Sequence, residues 1–398
     1  MTAIDTVGPA GEKGEWQGVV AVVAVAAALL LPLTVLDGHQ TWFLGRDTGT
    51  ILAGLFLAFG ALAGLDRSRS GVGGLLILVA AAIAVWGVVT TLPAVAAMAR
   101  SNGATTRELM VATAGFGALA VAAGAPAWLL VNRLSDARAN RPVGNVLLRV
   151  VIPVVFGAAV LLLWEVIVRG FAVPFVVMPP PSAVWARITT SIPTLWADFQ
   201  QTFLKAVLVG YAIGCGSGFV VAILVDRVPF LRRGLLPIGN LVSALPIVAI
   251  APIMVMWFGF DWPSKSAVVV AMTFFPMLVN TLAGLAASDQ IERDLMHTYA
   301  ASYWQALLRL RLPAALPFIF NALKINSTLA MIGAIVAEFF GTPVVGMGFR
   351  ISTEVGRMNT DMVWAEIAVA AVAGSAFYGI VALIERAVTF WHPSFRQS

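Results

Sequence analysis

The chain has 398 residues, a formal charge of +5, 60% hydrophobic and 11% charged residues, and a mean hydropathy of +0.90. Soluble domains carry about 25% charged residues, so this composition excludes a soluble globular protein and leaves an all-α polytopic membrane protein. No basic cluster is dense enough to follow a phosphate backbone, and a single cysteine, Cys215, excludes an intramolecular disulfide and reads as a buried, inert thiol.

A span needs about 20 residues of low polarity. Ten segments qualify in chain order: 19–36, 49–65, 72–95, 109–131, 146–168, 203–225, 235–257, 266–285, 316–338 and 362–388. The first is preceded only by Lys13 against Glu12 and Glu15, without a small-residue cleavage site, and reads as a retained helix rather than a signal peptide. The seventh carries Pro237, Pro246 and Pro252, which predicts a kinked or partly unwound stretch. With the N-terminus inside, most Lys and Arg fall on inside segments, including Arg133, Arg138, Arg141, Arg149, Arg232, Arg233, Arg309 and Arg311. The expectation is a multi-pass protein of the bacterial plasma (inner) membrane with both termini cytoplasmic.

The basic, Pro/Gly-punctuated segment 133–149 divides the chain into four N-terminal spans, residues 1–140, and a six-span part, residues 141–398. The first four spans are rich in small residues that suit close helix packing. Between spans five and six, Met178-Pro179-Pro180-Pro181-Ser182 predicts an extended strut, followed by the interface anchors Trp185 and Trp196.

The chain has no G-x-x-x-x-G-K-[ST] phosphate cradle, no Ser/His/Asp arrangement, and three histidines, His39, His297 and His392, that lack metal-ligand spacing. The expectation is a non-enzyme with no cofactor or metal of its own. The polar interruption 288–313, between spans eight and nine, has helical periodicity and reads as two short helices, 291–300 and 303–310, the second ended by Leu312-Pro313. Trp304, Leu307, Leu308 and Leu310 form its apolar face, and Arg309 and Arg311 face water or a partner. Such a helix either inserts into a partner's groove or lies on lipid headgroups.

This segment resembles the "EAA" coupling loop of binding-protein-dependent ABC importer permeases, E-A-A-x(3)-G-x(9)-I-x-L-P. Leu312-Pro313 anchors the match, with Leu310 at the Ile position, Ala300 at the Gly and Asp294-Leu295-Met296 at E-A-A. Ala resists the positive φ that a turn glycine adopts. Around it, Met178-Pro-Pro-Pro-Ser182, Trp257-Phe258-Gly259, Phe275-Pro276, Ala301-Ser302-Tyr303-Trp304-Gln305, Leu312-Pro313 through Pro317, Ala337-Glu338-Phe339-Phe340-Gly341 and Gly346-Met347-Gly348 occur in order. Together they resemble the nitrate/sulfonate/taurine and thiamine-pyrimidine-precursor branch. The resemblance implies a permease homodimer, two ABC ATPase subunits that hold ATP and Mg, and a periplasmic or lipid-anchored substrate-binding protein. The ATPase-coupling loop would use Asp294, Leu295, Met296, Ala300, Ala301, Ser302, Trp304, Gln305, Arg309, Leu312 and Pro313. The implied cargo is a small polar organic molecule or anion, such as a thiamine-precursor pyrimidine or a sulfonate.

Intramembrane polar residues mark candidate pathway positions. Asn321, Lys324 and Thr328 share one face of span nine, where Lys324 either snorkels to headgroups or lines a pathway. Glu338 ends that span, as a gating carboxylate or an interfacial one, and Asn280 and Thr281 follow Pro276 in span eight, facing the path or bonding between helices. Glu165 reads as an interface anchor. Trp257, Phe258, Phe260 and Trp262 form an aromatic belt or a hydrophobic outer gate. Two other classes compete: an ion-coupled secondary transporter, which would show paired inverted repeats, and a membrane scaffold whose polar loop recruits a cytoplasmic partner.

Overall fold

The structure, a computed structural model, describes residues 173–228, 230–235, 237, 247–341 and 345–390, most of 153–169, and short pieces at 23, 34–36 and 40–42. The expected spans 49–65, 72–95 and 109–131 and the divide at 140/141 lie outside the described residues. The chain separates into two units, Met1–Ala183 and Val184–Ser398, each taken by itself.

In the first unit, β1 (Thr34–Leu36) and β2 (Gln40–Trp42) pair antiparallel, Thr34 opposite Trp42. This corrects the end of the first expected span: Val23 is helical, but 34–36 are strand. All described residues of 153–169 are helical. Here Glu165 bonds to the start of the next helix. Its carboxylate accepts from Arg169 Nε (2.6 Å), Ser182 Oγ (2.7 Å) and the Ser182 amide (2.9 Å). The last of these is an orphan donor at the start of α1 (Pro181–Thr190), so the proline run ends in a capped helix and only its first part is extended.

Among its described residues, the second unit is helical wherever it is regular. α2 (Ile192–Phe199), a π-helical segment (Gln200–Val207) and α3 (Leu208–Arg227) form one unbroken 36-residue helix. α4 (Ile247–Phe258) contains Pro252 and leads through a turn at Gly259 to α5 (Trp262–Ala286). Then come α6 (Gln290–Thr298), α7 (Tyr303–Ala306), a second π segment (Leu307–Arg311), α8 (Leu312–Glu338), α9 (Met347–Gly356) and α10 (Thr360–Val388). Among the described residues, four helices are long and apolar enough to cross a membrane: Ile192–Arg227, Trp262–Ala286, Tyr303–Glu338 and Thr360–Val388. They contain the expected spans 203–225, 266–285, 316–338 and 362–388.

The expected stop at Leu312-Pro313 is corrected, because Tyr303–Glu338 is continuous. The turn before Pro313 widens to π register, and the Leu312 amide bonds Leu307 O five residues back. The ladder thus reaches the proline already shifted, and the missing N–H breaks nothing downstream. The wider turn also changes the angular step. Leu307 turns into the core at 1% exposed, while Trp304 and Leu308 stay outside at 50% and 60%, so the four residues expected on one face do not share it.

Glycine sets the spacing of the central helices. On α3, Gly210, Gly214 and Gly218 stand four residues apart against α5. A Cβ on Gly210 would lie 2.6 Å from Val269 Cβ, one on Gly214 would meet Thr273 Oγ1, and one on Gly218 would lie 2.5 Å from Phe274 O. This is the small-residue stripe that lets two membrane helices touch through their backbones. Gly284 of α5 admits α8 likewise, since a Cβ there would lie 2.8 Å from Phe318 Cβ. Asn326 of α8, fully buried, donates to Thr273 O (2.8 Å) and to the buried Cys215 Sγ (3.2 Å), joining three helices. Phe377 of α10 meets Phe203 and Tyr211 edge-on and closes the core.

Candidate functional site

At one end of the helices lies the loop 288–313. Asp289 caps α6 through the Ile291 amide (3.2 Å). α6 stops in a two-bond turn: the Ala300 amide bonds His297 O (2.9 Å) and the Ala301 amide bonds Met296 O (3.0 Å). That pairing requires a left-handed residue at Ala300, and Ala300 adopts φ +53°. The sharp turn is therefore kept without glycine. Ser302 opens the next helix with a capping box, its Oγ accepting from the Gln305 amide and Gln305 Oε1 accepting from the Ser302 amide. Asp294, Leu295, Trp304 and Arg309 are exposed; Met296, Ala301, Leu312 and Pro313 are half-buried. Ile291, Leu295 and Tyr299, at i, i+4 and i+8, form one stripe exposed by 76%, 55% and 78%, and no residue of α6 is buried. A cavity of about 240 Å³ between α6 and the following helix is lined by residues that include Arg293, Met296, His297, Leu310 and Arg311.

The loop is tied to the neighbouring helices. Arg311 grips Asp226, the penultimate residue of α3, with two bonds (2.8 and 2.7 Å), and the Tyr303 hydroxyl donates to the same carboxylate (2.9 Å). Arg227 lies over the Tyr303 and Trp304 rings, 5.6 and 5.7 Å from their centroids. Arg311 Nε donates to Leu285 O (3.1 Å), and Arg293 Nη2 to Ala286 O (2.6 Å), satisfying carbonyls at the end of α5.

Along α8 the exposed positions are Phe318, Asn321, Ile325, Thr328 and Ile332, a single stripe at alternating steps of three and four. Among the described residues, neither the Asn321 nor the Thr328 side chain has a hydrogen-bond partner. Lys324, between them, turns to Glu385 of α10 and pairs at 2.7 Å, with side chains only 19% and 9% exposed. On α5, Thr281 is fully buried, and Asn280 donates back to Pro276 O (2.8 Å).

At the other end of α8 is a polar cluster that joins Glu338 and the Gly346-Met347-Gly348 motif to Asp198 and Thr202, which sequence patterns did not single out. Glu338 is 2% exposed. The three amides of Gly346, Met347 and Gly348 each find a different side chain: Asp198 Oδ1 (2.6 Å), Thr202 Oγ1 (2.8 Å) and Glu338 Oε2 (2.7 Å). Thr202 donates on to Glu338 Oε1 (2.8 Å). Arg350 holds the far side of Asp198 (2.8 Å), and that bond pushes the guanidinium pKa further upward. Gly346, at φ +144°, has no room for a Cβ, which would lie 2.8 Å from the Glu338 carboxylate. Glu366 of α10 is fully buried beside this cluster. Nearby, Trp257, Phe258 and Phe260 are exposed and Trp262 packs against the core, so the aromatic group divides.

Residues 210–390 match the family described as "Binding-protein-dependent transport system inner membrane component". A probable ABC transporter permease of Haemophilus influenzae is 32% identical over 220 residues, 55% of this chain and 89% of that protein. The formylaminopyrimidine transport permease ThiX of Halalkalibacterium halodurans is 30% identical over 239 residues, covering 60% and 95%. The taurine transport permease TauC of Escherichia coli is 28% identical, covering 59% and 87%.

The chain is a binding-protein-dependent ABC importer permease. As a permease of this family it is a multi-pass membrane protein whose relatives are transport subunits, and the family implies ATPase and substrate-binding partners. The coupling-loop pattern of such permeases falls on α6, the Ala300 turn and α7. Ala300, aligned with the glycine of that pattern, has φ +53°. The residues that sequence reading missed, Asp198, Thr202 and Asp226, sit on other helices than their partners and are joined to them only by the fold.

Proposed function

We propose that two copies of this permease line an import pathway through the bacterial inner membrane, and that ATPase subunits docked on the 288–313 loops drive it. The observation that carries this reading is the α6 stripe Ile291, Leu295 and Tyr299. An amphipathic helix whose stripe of large apolar side chains is left uncovered by its own chain is a docking element. Asp294, at the acidic position of the coupling pattern, is exposed beside it. ATP and Mg reside on the partner, and the permease itself performs no covalent step.

The stripe on α8 supports the pathway. An amide such as Asn321 facing acyl chains would cost about 2–7 kcal/mol without a partner, so this face suits water, cargo or a second copy rather than lipid. Lys324, neutralised by Glu385, borders that face. The cluster at Glu338 marks the outer end, with Asn280 and Thr281 on the helix behind. In this arrangement the loop and both termini are cytoplasmic, and residues 1–140 form an added four-span membrane region outside the six-helix core. Relatives named for formylaminopyrimidine and taurine support a small polar organic cargo, a pyrimidine or a sulfonate, delivered by a binding protein.

The test is co-purification. The wild-type permease retains an ATPase subunit, and the double substitution Leu295→Glu, Tyr299→Glu releases it and abolishes ATP-driven uptake of taurine or formylaminopyrimidine in vesicles. Uptake driven by an ion gradient without any ATPase overturns the reading.

A further inference from the structure

The second helix of the coupling loop is continuous with α8, so a push on α7 reaches α8 along one helix. α3 and α5 are separate helices and follow only if something ties their ends to the loop. For α3, one carboxylate makes most of that tie. Asp226, with a side chain 12% exposed, accepts both terminal nitrogens of Arg311 and the Tyr303 hydroxyl. The same Arg311 uses its third nitrogen on Leu285 O, the end of α5. Bidentate, charge-assisted bonds fix orientation as well as distance. The glycine stripe carries the constraint onward, because backbones packed through Gly210, Gly214 and Gly218 leave α3 and α5 no freedom to separate.

We infer that Asp226 is the positioning residue that transmits coupling-loop motion to α3 and α5, so that its loss uncouples ATP hydrolysis from movement of the pathway while leaving the ATPase bound. This rests on the docking role of the loop. The proposed ATPase-facing residues are Ile291 and Leu295 on α6 and Tyr299 at its C-cap, whereas Asp226 bonds to Tyr303 and Arg311, so docking and transmission are separable. Asn at 226 keeps one acceptor oxygen and turns the other into a donor facing Arg311, which also donates. Glu keeps both acceptors.

The experiment uses the full transporter in inside-out vesicles, with Thr328→Cys on the exposed α8 stripe and a membrane-impermeant maleimide as the probe. Mg-ATP with vanadate is expected to protect this cysteine in the parent complex. In Asp226→Asn the ATPase still co-purifies and hydrolyses ATP, the Tm stays near the parent value, and protection falls by about tenfold, the scale of losing one charge-assisted bond. Asp226→Glu restores protection, and the exchange Asp226→Arg with Arg311→Asp restores part of it. Parent-level protection in Asp226→Asn overturns the inference. So does equal loss of fold and of ATPase binding in the Asn and Glu variants, which makes Asp226 merely structural. A parent complex that holds no ATPase overturns instead the docking role on which the inference rests.

Discussion

Ala300 occupies a backbone conformation that costs an L-residue with a Cβ about 1–2 kcal/mol, and it does so because two hydrogen bonds of the α6 stop demand it. Glycine at this position removes the strain at the expense of some added freedom in the unfolded chain. Ala300→Gly is expected to stabilise the turn by about 1 kcal/mol net, read as roughly fivefold slower hydrogen exchange at the Ala301 amide, whose bond to Met296 O closes it. Glycine is not interchangeable elsewhere in the chain: Gly346 is held by both its φ of +144° and the carboxylate beside it, whereas nothing lies within 4 Å of the Cβ position at Gly356. Charge obeys the same local logic. Lys324 finds Glu385, Arg311 finds Asp226 and Arg350 finds Asp198, so these cations in or near the helices are spent on partners within the chain.

Among elements, the α3–α5 contact has the least tolerance. Gly214 faces Thr273 and the backbone of Val270, so added side-chain atoms meet groups that cannot yield, unlike the far end of a flexible chain. Gly214→Leu should force the helices apart, break the Asn326 bridge to Thr273 O, and lower the Tm of the purified protein by several degrees. Gly216→Leu, on the open face of the same helix, should leave it within a degree or so. The two π segments fall where helix and polar chemistry meet. Gln200–Val207 presents Thr202 to the Glu338 cluster, and Leu307–Arg311 presents Arg311 to Asp226. Wide turns at functional positions re-aim a side chain without ending the helix.

At the scale of the whole molecule, what could be read in the sequence was whatever repeats along one helix. The four long described spans, the loop between spans eight and nine, and the shared face of Asn321 and Thr328 follow from local periodicity and composition, but Lys324, read on that same face, turns instead to Glu385. What stayed hidden joins distant positions: Asp226 and Arg311 are 85 residues apart, and Thr202 and Glu338 are 136 apart. No period connects such pairs, and each acid or hydroxyl alone resembles an ordinary helix-end residue. Pro313 misled for a related reason. A proline predicts a break only if the turn before it is an α turn, and here it is not. The widened turn also leaves a trace at the level of inheritance. Five residues do there what four do in an ordinary turn, so the gene carries a spare codon between Leu307 and Arg311. Removing it returns the turn to α geometry with both flanking faces in phase; removing a codon elsewhere in α8 rotates everything beyond it by about 100°. In a library of single-codon deletions across Tyr303–Glu338, permeases that still insert and retain the ATPase should therefore cluster at Leu307–Arg311.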